Sequence, residues 1–110
     1  MNDIKSLMLA VVQEQDHDDA VHALVELGLP VTFFVSAGGF LAQRNATLLI
    51  GLREGHEAEA IKTLENSSRR RVEYLTLPLE GSPLPMAAPV PVTVGGATVF
   101  TLPVERFEEI

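Results

Sequence analysis

The 110-residue sequence predicts an α+β domain with the element order β-α-β-β-α-β and an additional C-terminal β-hairpin. Three observations carry that prediction. Short apolar, β-branched runs such as Ser6–Gln13 (SLMLAVVQ) and Val31–Ser36 (VTFFVS) are too short for buried helices. Two longer segments space their apolar residues at helical intervals. Two glycine pairs, Gly38-Gly39 and Gly95-Gly96, fall between strand-like stretches, where a turn or a close backbone approach is needed.

Taken in order, Ser6–Gln13 is a buried strand. A helix starts at Gln15-Asp16, with Asp16 as the expected N-cap and Asp19 in the first turn, where acids suit the helix dipole. Ala20, Val21, Leu24 and Leu27 form its apolar face, and Gly28 with Pro30 stops it. Val31–Ser36 is the second strand and Thr47–Leu52 the third, with Gly51 inside it as a mark of close backbone approach. The second helix spans 55–66 on a stripe of Ala58, Ile61 and Leu64. Val72–Leu77 is the fourth strand. Pro78–Pro89, with four prolines and a glycine, reads as a long irregular loop. Val90–Val94 and Thr98–Pro103 close the chain as a hairpin about Gly95-Gly96. This is the split, ferredoxin-like plan, with helices on one face of an antiparallel sheet. Strands such as VTFFV are apolar on both sides, so the other face calls for a partner, and a small cyclic oligomer supplies one.

Composition narrows the function. The length fits a single domain, residues 1–110, with a small core. A formal net charge of −7 argues against DNA or RNA as partner, while backbone N–H groups can still hold a small anion. The chain has no cysteine, so disulfide and thiolate chemistry are excluded. No apolar run reaches the roughly 18 residues of a membrane span. The N-terminal residues lack a signal-peptide layout, and the expected location is the cytoplasm.

The residues around the first glycine pair suit binding better than bond chemistry. Gly38, Gly39, Phe40, Leu41, Asn45 and Thr47 put glycines, an aromatic ring, an amide and a hydroxyl into one strand–loop–strand segment. Gly38-Gly39 fits either a hairpin turn or a close approach to a ligand, and Phe40 either a core position or a wall against a base. The spacing is not a dinucleotide fingerprint, because no helix follows. Thr32 suits a strand by propensity alone. His17 and His22 are five apart and diverge on a helix, so no metal site is expected. Arg69-Arg70-Arg71, the only basic run, reads either as a solvated loop or as a contact to an acidic partner or a phosphate. Ser36 has no histidine or acid at a motif spacing, and no enzyme activity or cofactor is expected.

These segments together resemble a known family, the PII-like signal-transduction proteins that act as cyclic-di-AMP receptors. The resemblance covers nearly the whole chain. It rests on Val12-Gln13-Glu14-Gln15-Asp16, Gly38-Gly39-Phe40-Leu41, Asn45 with Thr47, Gly51, and Val94-Gly95-Gly96-Ala97-Thr98-Val99-Phe100 followed by Pro103-Val104. It implies a homotrimer with ligand clefts between subunits, a short loop after the second strand and a large one after the fourth. It also implies no enzyme activity, and signalling to an unknown protein partner by loop rearrangement. Carried over by residue, Thr32 would bond an adenine edge, and Gly38 and Gly39 would bring backbone near the ligand. Phe40 and Leu41 would pack on the base, Asn45 and Gly51 would line the cleft, and Phe100 would contribute from the last strand.

Two positions depart from the pattern. Pro30 stands where the family leads one to expect an arginine beside the ligand, and Glu109 where it leads one to expect a polar amide. The first removes a charge-assisted hydrogen bond of roughly 1.5–3 kcal/mol. The ligand expected is therefore cyclic-di-AMP or another purine nucleotide. The competing expectation is a PII-like adaptor that has lost the nucleotide and acts through its loops.

Overall fold

The computed structural model describes residues 3–35, 44–78 and 87–110. Its elements are β1 (Ser6–Gln13), α1 (Glu14–Glu26), β2 (Val31–Val35), β3 (Asn45–Leu52), α2 (Glu57–Ser68), β4 (Arg71–Pro78), β5 (Ala87–Val94) and β6 (Ala97–Pro103). Strict alternation builds the core. Met8, Ala10 and Val12 of β1, and Ala46, Leu48, Ile50 and Leu52 of β3, are buried while their neighbours are only half-buried. Both helices close over that face with residues four apart: Asp16, Ala20 and Leu24 in α1, Ala60, Leu64 and Ser68 in α2. That spacing returns to the same side of a helix about once per turn, so each presents one stripe to the sheet.

The main sheet is antiparallel in the order β2-β3-β1-β6, with both helices on one face, which makes the fold α+β and ferredoxin-like. The last place in the sheet belongs to β6 rather than β4. Instead, β4 pairs with β5 along its whole length, Arg71 opposite Val94 and Pro78 opposite Ala87, as a separate two-stranded ribbon.

Two expectations need correction here. The additional C-terminal hairpin joins β4 to β5, and Gly95-Gly96 is no hairpin between β5 and β6, because those two strands belong to different sheets. The glycine pair instead steps the chain from ribbon to sheet, with φ of +89° and +92°. A Cβ on Gly95 would lie 2.2 Å from the carbonyl oxygen of Arg69, so no other residue fits. The segment 78–89 is also not wholly irregular: β4 runs through Pro78, and β5 begins at Ala87. A ribbon that pairs only with itself tolerates prolines that a central strand would not. The ribbon also accounts for a Cα radius of gyration of 18.1 Å, well above the roughly 13 Å of a compact chain of about this length.

Residues on the sheet face opposite the helices form cross-strand rows. One row runs Thr32, Leu49, Leu9, Phe100, and the next runs Phe34, Thr47, Val11, Thr98. No element of the chain covers this face among the described residues. Phe34 and Phe100 are 54% and 56% exposed. Monomeric proteins rarely leave so continuous an apolar surface in water.

Candidate ligand-binding site

The end of the sheet where β1 runs into α1 is also the base of the ribbon, and polar groups gather there. Asp16 is only 4% exposed. It does not cap its helix, since the N-cap residue is Gln13 and the helix begins at Glu14. The carboxylate instead takes Nη2 of Arg71 at 2.8 Å and Nη1 at 3.4 Å, fixing the first residue of β4 to the first turn of α1. An interior position needs such a partner, because a carboxylate taken out of water is costly alone. Arg71 also donates to Glu73 at 3.1 Å and to the carbonyl of Arg69 at 3.1 Å. The hydrogen bond to Asp16 is the main cause that raises the Arg71 guanidinium above its ordinary value, against partial desolvation, so it keeps its charge at any working pH. Two further bonds complete the joint. The amide of Gly95 donates to Oε1 of Gln13 at 2.9 Å, and that of Gly96 donates to the carbonyl of Ser68.

Beside this joint is a polar cavity of about 210 Å³, lined by Val11, Val12, Gln13, Asn45, Arg70, Gly95, Gly96, Ala97 and Thr98. No carboxylate lines it. Arg70 lies along Gly96, whose missing side chain makes the room: a Cβ there would sit 3.1 Å from Nε and 3.3 Å from Cγ of Arg70. Drug-sized ligands occupy sites of roughly 300–1,000 Å³. This cavity by itself therefore holds only part of a nucleotide.

The residues expected at the ligand separate into three groups. Asn45 lines the polar cavity as the first residue of β3. Thr32 and Phe100 share one cross-strand row but stand on its two edge strands, β2 and β6, about 14 Å apart across three strand spacings. Gly51 is six residues along β3 from Asn45, about 20 Å away. It serves a close approach within the subunit: its amide donates to the carbonyl of Pro30 at 2.9 Å, and a Cβ would lie 2.9 Å from Pro30 Cγ and 3.0 Å from Ile4 Cδ1. Pro30, the position lacking the expected arginine, thus packs on Gly51. Gly38, Gly39, Phe40 and Leu41 lie outside the described residues.

Sequence reasoning did not bring Gln13, Arg70 and Thr98 to Asn45. The signal was present in the basic run at 69–71 and in the second glycine pair. Only the path of the ribbon shows that both arrive at the end of β3. Two of the three histidines, His17 and His22, have local partners. His17 Nδ1 is 3.3 Å from the carbonyl oxygen of Glu14, its ring centroid is 4.6 Å from that of Phe33, and His22 pairs with Glu26 at 3.0 Å. Among the described residues no helix is long and apolar enough to cross a membrane.

Comparison with known proteins agrees with this architecture. Residues 5–110 match the sequence profile of a family described as cyclic-di-AMP receptor. A functionally unknown protein from Pediococcus pentosaceus ATCC 25745 is 31% identical, with a TM-score of 0.77 over 97% of this chain and 98% of that one. A DUF3240 family protein from Shewanella baltica OS155 is 12% identical, with a TM-score of 0.58 over 98% of each chain, and shares the fold alone. With a profile match over nearly its whole length and a relative above 30% identity, the chain belongs to the cyclic-di-AMP receptor family.

Proposed function

We propose that this protein is a nucleotide sensor that binds cyclic-di-AMP or a related purine nucleotide in clefts between the subunits of a homotrimer, and that it signals to a protein partner by rearranging its loops. One observation carries the reading beyond family membership. Two of the expected ligand residues, Thr32 and Phe100, lie on opposite edge strands of an apolar sheet face that none of the described elements of the subunit covers. The polar cavity among the described residues contains neither of them. A cyclic assembly that buries this face brings the β2 edge of one copy beside the β6 edge of the next, and both residues then face one cleft. There the Phe100 ring offers an apolar wall to a purine and the Thr32 hydroxyl a hydrogen bond to its edge. Phe40 and Leu41 complete the wall, Gly38 and Gly39 bring backbone near the ligand, and Asn45 and Gly51 line the cleft. The role is binding and signalling rather than catalysis, and the working location is the cytoplasm.

Calorimetric titration of the purified protein with cyclic-di-AMP, with ATP and cyclic-di-GMP as controls, tests the reading together with light scattering of the free protein. The expected result is a trimer that binds cyclic-di-AMP at one site per subunit. Binding of ATP alone would assign a retuned pocket. A monomer, or silence with all three nucleotides, would overturn the sensor reading in favour of an adaptor that works through its loops.

A further inference from the structure

The three consecutive arginines that open the ribbon have three different environments. Arg71 is held by Asp16 and Glu73. Arg69 contributes its carbonyl oxygen to the joint, accepting from Arg71. Arg70 lines the 210 Å³ cavity. Among the described residues the ion-paired arginines are Arg44, Arg71 and Arg106, and no described carboxylate pairs with Arg70. Around it stand the amide of Asn45 and the hydroxyl of Thr98, neither engaged in a hydrogen bond among the described residues. Gln13 also lines it, with its Oε1 taken by the Gly95 amide, and the rest of the wall is small or apolar. A guanidinium, an amide and a hydroxyl converging without a carboxylate is the chemistry that recognises a phosphoryl group.

We propose that this cavity is an anion subsite in which Arg70, with Asn45 and Thr98, binds a phosphate of the ligand. This rests on the nucleotide reading above and sharpens it. The placement is consistent along the strand. Thr98 and Phe100 are two residues apart in β6 and share the open sheet face, about 7 Å from one another, so a base on Phe100 directs its sugar and phosphate toward Thr98 and Arg70. Gly96 is part of the design, since any side chain there would meet the Arg70 stem. Because Arg70 is the residue before β4, a phosphate bound to it lies at the base of the ribbon.

Two titrations of the full chain separate this proposal from the sensor reading. The first follows cyclic-di-AMP by calorimetry with the parent, Arg70→Gln and Arg70→Lys. Loss of one charge-assisted contact predicts a tenfold to hundredfold weaker affinity for Arg70→Gln, on the order of 1.5–3 kcal/mol, and partial recovery for Arg70→Lys. The side chain is exposed, so the melting temperature should not move. Equal affinity of Arg70→Gln and the parent overturns the subsite. The second titration follows inorganic pyrophosphate by the backbone amide shifts of Asn45, Gly95, Gly96 and Thr98. If no nucleotide binds but pyrophosphate shifts these signals in the parent and not in Arg70→Gln, the sensor reading fails while the subsite stands. If neither probe binds, both fail.

Discussion

The helix-covered sheet and the β4–β5 ribbon are both antiparallel, yet they are held by different forces. In the sheet, every second residue of β1 and β3 enters a closed core beneath two helices. In the ribbon, Val72 and Tyr74 are 55% and 69% exposed, and its attachment is polar: Arg71 to Asp16, Gly95 to Gln13, Gly96 to Ser68. A two-stranded ribbon is marginal in water by itself. Hydrophobic burial fixes the body, and a few directional bonds fix the ribbon to it. Polar joints of this kind can open locally without unfolding the core.

Four substitutions test the contrast, from the largest effect to the smallest. Leu48→Ala removes a fully buried side chain from the middle of the sheet and should cost about 2–5 kcal/mol in urea unfolding, weakening body and ribbon together. Gly95→Ala places a methyl on the Arg69 carbonyl at positive φ. It should cost at least about 1–2 kcal/mol from the backbone conformation alone, with hydrogen-exchange protection lost first around the ribbon base. Asp16→Asn leaves Arg71 with Glu73 as its charged partner and removes the buried one that ties it to α1. Amides of β4 should exchange faster while those of β1 and β3 stay protected, and equal loosening of both regions would show that the joint belongs to the core. Tyr74→Ala should shift stability by less than about 0.5 kcal/mol, because the ring is largely in water. A larger loss in the assembled protein would mean that the ribbon is packed against another copy.

The body was legible from the sequence because its alternation is strict. Ser6–Gln13 is β1 with the bounds expected, and Ala20 and Leu24 fall on the buried stripe of α1. The ends of the helices were less legible. Asp16 has the residue type of a cap, and only the arrival of Arg71, 55 residues later, makes it a buried ion-pair partner. Likewise VEYLTLP of β4 and ATVFTLP of β6 carry much the same apolar pattern, and nothing local tells which of them lies beside β1. Pairing is decided by which strand can reach that edge while burying one side against α2, and β6 does so with Val99.

By itself, then, the sequence determined the α+β class, the element order, the core of β1 and β3 and the family resemblance, all of which rest on periodicity and local motifs. The tertiary structure alone decided that β4 and β5 leave the sheet as a ribbon and that Gly95-Gly96 is a step between sheets rather than a hairpin. It also decided that Arg70, Thr98 and Asn45 meet, and that Thr32 and Phe100 stand at opposite edges. The physical reason is range. Alternation and helical spacing act over a few residues, whereas strand partnership and the convergence of polar side chains depend on contacts between segments tens of residues apart, where several pairings satisfy the same local pattern and only the best joint burial selects one.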